Sequence, residues 1–163
     1  MSISLFGKRM VLGLIFLAWP GWAMANIGDT LAELRQRYGS AKDMGGQMLF
    51  EVRLVNGKFV PARGSADTAD HFTINVYFDG AYSAMEVFAR NTTDPLKADL
   101  TPVDIEAIKA AVGDGQTWHE IQVPTNRATW VRDDKKLIAR FSPNKSGTVD
   151  GASVLAIMLY TEK

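Results

Sequence analysis

Two histidines, His71 and His119, carry most of the chemistry this chain offers, and each opens an expected strand. As metal ligands, His71 would join Asp67 and Asp70 across a loop, and His119 would join Glu120. Neighbouring strand residues point to opposite faces, so His119 and Glu120 share an ion poorly. Transition-metal sites favour more nitrogen donors than Asp67, Asp70 and His71 supply. These are therefore expected to be solvated loop residues, with no metal. As a base, either histidine could activate a hydroxyl in a small hydrolase. No serine sits in a G-x-S-x-G elbow, but triads are geometric, so His119 with an Asp and a Ser stays open. Ser83 is expected in a strand after the Asp79-Gly80 turn.

Other signatures point to no cofactor. The chain has neither G-x-G-x-x-G nor G-x-x-x-x-G-K-[ST]. Asp133 and Asp134 are adjacent in an expected hairpin turn, where solubility accounts for them. That leaves the aromatics. Tyr77 is opposite in phase to Phe72, Ile74, Val76 and Phe78, and Trp130 is out of phase with Val131. If the apolar faces pack under helices, Tyr77 and Trp130 become candidate binding residues on an exposed sheet face. The alternative is a sheet covered on both faces, with every ring in the core.

The elements that must position these residues follow from spacing. Thr30 and Glu33 form a capping box, Leu31, Leu34 and Tyr38 share one helical face, and Gly39 stops the helix. A second helix begins at Thr101 as cap, with Pro102 in first position and Asp104 in the first turn. Its buried stripe is Ile105, Ile108 and Val112, and Gly113 ends it. Period-two alternation marks strands over 48–54, 72–78 and 82–90, with Asn56-Gly57 and Asp79-Gly80 as turns. Further strands are expected near 117–123, 128–132 and 137–141. Residues 154–160 are apolar on both faces, which suggests a central strand. Residues 61–70 read as a polar loop.

The fold class expected is α+β: two short helices on one face of a mainly antiparallel sheet, in the order helix, strands, helix, strands. Thr30 answers Thr101 and Gly39 answers Gly113, which raises the possibility of an internal duplication.

The chain's address is written in its first 25 residues. Lys8 and Arg9 precede an apolar run over 10–19, Pro20 and Gly21 break it, and Ala23-Met24-Ala25 offers small residues for a signal peptidase. The stretch 10–25 is only 16 residues, against about 20 for a membrane-crossing helix. Cleavage before Asn26 leaves one domain, 26–163, that is periplasmic or secreted. The leader holds two of the 18 basic residues and no acidic one, so the mature chain has 16 against 18 and a formal charge of −2. That balance recruits neither nucleic acid nor an anionic bilayer. The chain contains no cysteine, so disulfides, thiol chemistry and a lipid anchor through cysteine are excluded.

Gly28-Asp29-Thr30 followed by Arg37-Tyr38-Gly39 resembles the opening helix of small uncharacterised exported bacterial proteins. The run Trp130-Val131-Arg132-Asp133-Asp134-Lys135-Lys136-Leu137-Ile138-Ala139 resembles a second signature of that group. More distantly, a short helix followed by an antiparallel sheet is similar to the outer-membrane-assembly lipoprotein family (SmpA/OmlA) and to the β-lactamase inhibitory protein fold. The lipoproteins' lipid-bearing cysteine is missing here, so tethering is not implied. Taken together, the sequence favours a non-enzymatic binding protein with an envelope protein as partner. Capture of a small ligand or lipid, or hydrolysis through His119 or His71, are the alternatives. Expressed with its leader in a bacterial host, the chain is expected to yield a periplasmic species whose N-terminal residue is Asn26. A membrane-bound species retaining residues 10–19 would refute this, and intact mass distinguishes the two.

Overall fold

The structure, a computed structural model, describes residues 27–62, 71–123, 127–143 and 152–161. The expected leader, Asp67 and Asp70 lie outside the described residues. Two α-helices, α1 (Leu31–Tyr38) and α2 (Pro102–Val112), accompany nine strands. The strands are β1 (Ala41–Asp43), β2 (Gln47–Val55), β3 (Lys58–Pro61), β4 (His71–Asp79), β5 (Tyr82–Arg90), β6 (Trp118–Ile121), β7 (Thr129–Arg132), β8 (Leu137–Ser142) and β9 (Val154–Leu159). All pairings among them are antiparallel, in one sheet of order β1-β2-β4-β5-β9-β8-β7-β6, with β3 also on the β2 edge. The class is α+β, dominated by its sheet.

Both helix starts follow their caps. The Thr30 side chain accepts from Glu33 N while Glu33 Oε2 accepts from Thr30 N at 2.7 Å. Thr101 and Asp104 do the same, Asp104 Oδ2 accepting from Thr101 N at 2.7 Å. Each box satisfies amides that the first turn leaves without intrahelical partners. The second helix ends at Val112 with Gly113 as its C-cap, as expected. Gly113 is right-handed, and the left-handed residues are Asp114 and Gly115. Glycine is required at 113 by a close approach instead. A Cβ there would stand 2.8 Å from Trp118 Nε1, which donates to Lys109 O.

The two helices share one side of the sheet. Leu34 and Tyr38 of α1 and Ile105, Ile108 and Val112 of α2 join a single core with Phe50, Val52, Phe72, Ile74, Val76, Phe88, Leu155 and Ile157. Register puts these strand residues in phase: Phe50 faces Ile74, Ile74 faces Phe88, and Phe88 faces Leu155. The apolar run 154–160 does occupy the middle, as β9 lies between β5 and β8. The alternation in β4 and β5 carries one irregularity, a register slip between Tyr77 and Phe78 that pairs Phe78 with Ser83. The extra residue sets Ser83 and Glu86 on the same, helix-bearing side.

Ile108 is fully buried between helix and sheet. Ile108→Ala is expected to lower the denaturant-derived stability by about 2–5 kcal/mol, and Thr101→Ala by about 1 kcal/mol. Unchanged midpoints for Ile108→Ala would contradict this packing.

Candidate functional site

The sheet face without helices is built by register. Tyr77 on β4 stands beside Met85 on β5, Met85 beside Met158 on β9, Met158 beside Ile138 on β8, and Ile138 beside Val131 on β7. His119 on the β6 edge ends the row, and Gln47 on β2 begins it. A second row behind it runs Leu49, Asn75, Val87, Ala156, Arg140, Thr129 and Ile121, apolar and polar residues mixed. Tyr77 is 38% exposed, Met85 and Met158 are half-buried, and Val131 and Ile138 are buried. Tyrosine and methionine suit such a surface, one rigid and amphipathic, the other unbranched and adaptable.

The two candidate rings do not meet. Trp130 is out of phase with Val131, as expected, but Val131 takes the helix-free side and Trp130 turns toward the core. The Trp130 ring packs there half-buried, and Lys109 Nζ lies 4.2 Å from its centroid. Lys109 is itself buried and pairs with Glu106 at 2.8 Å. A buried cation against an indole ring is an anchor for α2. Only Tyr77 of the pair lies on the open face.

The histidines also part company. His71 is 3% exposed, so it is no solvated loop residue; it opens β4 opposite Arg53, and its carbonyl accepts from Asn91 N. His119 is 66% exposed at its side chain, and its Nε2 meets an Asp133 carboxylate oxygen. Glu120 points to the other side of β6, facing Trp130. A cleft of about 390 Å³ beside His119 is lined by Ile121, Val131, Arg132, Asp133, Lys135 and Tyr160. A carboxylate-held imidazole is an acid–base pair, and the hydroxyl offered by this lining is the Tyr160 phenol. Asp134, expected only to solvate a turn, clamps the buried Arg132 through two bonds, of 2.9 and 2.7 Å. Arg132 holds the Asp134 carboxyl below its ordinary range. Ser83 is a structural acceptor: its Oγ takes the amides of Gly28 and Asp29 at 3.0 and 3.1 Å.

A charged group that spacing alone did not single out lies under α1. Glu86 is 0% exposed in the central strand β5, and its Oε2 accepts from Tyr38 Oη at 3.2 Å. Burial pushes its carboxyl up to about 7, against the opposing Arg37 charge and the Tyr38 hydrogen bond. Burial likewise keeps the Tyr38 phenol well above its usual range, so it remains a donor. Arg37 Nη2 pairs with Asp29 Oδ2 at 2.5 Å. Burial raises Asp29 too, with Arg37 working against it. Among the described residues, no group of three or more His, Asp or Glu converges on a metal position. No described helix is long and apolar enough to cross a membrane.

No family model, curated protein or solved structure matches the chain.

The raised Glu86 carboxyl makes stability pH-dependent. Folded protein keeps this proton up to about pH 7, whereas the unfolded chain releases it near 4.5. The folded state therefore binds more protons between these values, and stability falls as pH rises through them. Glu86→Gln keeps an acceptor for Tyr38 without the charge. It is expected to exceed wild type by about 1–3 kcal/mol at pH 8, with the gap closing toward pH 5. Urea midpoints across that range test it, and a gap independent of pH would contradict the assignment.

Proposed function

We propose that this is an exported bacterial envelope protein that works by binding a protein partner, without catalysis, through the sheet face that carries neither helix. The observation that carries the reading is Tyr77, exposed on that face beside the half-buried Met85 and Met158, in a row that continues into buried Ile138 and Val131. An apolar centre with an exposed amphipathic ring suits an interface better than a purely solvated face. The leader-like first 25 residues supply the address, periplasmic or secreted. The candidate residue is Tyr77, and Trp130 supports the fold from the other side.

We also propose that the chain is a duplicated unit of helix followed by an antiparallel meander. Its support is the placement of β5 and β9, the last strands of each half, side by side and antiparallel. The two threonine capping boxes add to it. A second functional reading, a small hydrolase with His119 as base, draws on the His119–Asp133 pair beside its cleft.

Tyr77→Ala is expected to reduce recovery of an envelope partner in pull-downs while leaving the melting temperature nearly unchanged. Trp130→Ala is expected to lose about 3 kcal/mol of stability, as truncated core aromatics do. His119→Ala should change neither. Undiminished recovery with Tyr77→Ala would end the binding-face reading, and a hydrolytic activity abolished by His119→Ala would install the second.

A further inference from the structure

Residues 27–30 form a strap that crosses the start of β5 before α1 begins. Gly28 N donates to Ser83 O at 2.8 Å, Ser83 N to Asp29 O at 2.8 Å, and Thr30 bridges to Tyr82. The strap's charged contact is Asp29 with Arg37, and the Arg37 guanidinium is only part-used. Its Nε and Nη1 are buried without hydrogen-bond partners among the described residues, and so is Glu86 Oε1. Three orphaned polar atoms in one buried cluster are costly. They also leave the arginine free to change partners, because Asp29 and Glu86 both act on it.

We infer that Asp29, Arg37, Tyr38 and Glu86 form a pH-responsive clasp, in which ionisation of Glu86 draws Arg37 from Asp29 and loosens the 27–30 strap from β5. With Glu86 neutral, Asp29 is the one anion facing Arg37, whose guanidinium also lies 5.5 Å from the Tyr38 ring centroid, and the strap is held. With Glu86 charged, one cation faces two anions in a site shielded from water. Glu86 cannot move, because it lies in a central strand between Val76 of β4 and Ile157 of β9. Asp29 belongs to the strap, next to exposed Gly28, so relief comes by turning Asp29, whose Oδ2 is buried in the clasp, toward solvent. The charged or titratable groups acting on Glu86 are Arg37 and Tyr38 from α1 and Asp29 from the strap. The β4 and β9 neighbours are apolar, and Glu33 acts on Asp29 while capped by Thr30.

Amide hydrogen exchange of the mature protein, corrected for intrinsic rates, tests the clasp between pH 5.5 and 8.5. Protection at Asp29 and Ser83 is expected to fall roughly tenfold or more through neutrality, as for a shift of one pKa unit or greater. Protection at Ile74 and Phe88 should stay constant. Glu86→Gln should abolish the strap's pH dependence, and Asp29→Asn should lower strap protection at every pH. Equal pH dependence in Glu86→Gln, or a sheet that loses protection in step with the strap, overturns the proposal. Should Glu86→Gln fail to fold, a ¹³C titration of the wild-type Glu86 carboxyl decides. A midpoint that differs from the strap's overturns the clasp, and a coincident one supports it.

Discussion

The structure depends on the pairing of β5 with β9. Most other strand pairs join neighbours in sequence, but this one brings Phe88 against Leu155 and Glu86 against Ile157 across the whole second half of the chain. Long-range closure carries an entropy cost that contacts made afterwards must exceed. Leu155 and Ile157 are fully buried and supply part of that return. Without β9 the sheet divides into two pieces, each with an open hydrophobic edge. The approach to β9 is pinned as well. Leu100 N donates to Ser153 Oγ at 2.7 Å, and Ser153 N donates to Asp99 Oδ1 at 2.9 Å. The segment that launches α2 thus grips the residue that launches β9.

Both helices then fall on one side, and the charges at their seams follow a common rule. Arg90 reaches from β5 to Asp104 through three contacts of 2.8–3.1 Å, and the same Asp104 caps α2. Arg132 is held by Asp134, and Lys109 by Glu106 and the Trp130 ring. For Arg90–Asp104, the pair that joins sheet to helix with both side chains largely buried, the net gain is small, yet loss of one partner strands the other at about 3–5 kcal/mol. Such a pair fixes orientation more than it stabilises. Glu86 is the exception, since its acceptor capacity is only half-used and its neighbouring cation is shared.

What could be read from the sequence was local. The Thr30–Glu33 capping box, the Thr101 cap, the stripe Ile105-Ile108-Val112 and the alternation of 48–54 and 72–78 are signals contained within one turn or one strand. The three-residue β1 is too short to show a period. Phase placed Tyr77 and Trp130 opposite their apolar neighbours but could not say which side the helices take. In β7, Val131 and Trp130 are both apolar, so alternation has no polarity to read. His71 looked like loop chemistry because Asp67 and Asp70 precede it, yet it is buried at the head of β4. Glu86 was invisible for another reason. Its partner Tyr38 is 48 residues away, and the register slip in β5 obscures which side a polar residue there takes.

The helix-free face and the clasp are consequently not independent features. Met85 and Glu86 are successive residues of β5, and successive strand residues point to opposite faces. Met85 stands beside Tyr77 in the open row, while Glu86 lies under α1. The register slip falls directly before Met85, opposite the step from Tyr77 to Phe78. The same backbone irregularity therefore aims Ser83 at the strap, Glu86 at Tyr38, and Met85 at the open face. A regular strand would reverse Ser83 relative to Glu86 and take its hydroxyl away from the Gly28 and Asp29 amides, leaving Asp29 N without the Ser83 Oγ acceptor. The bulge is what allows one strand to hold the chain's entry on one side and continue an apolar surface on the other.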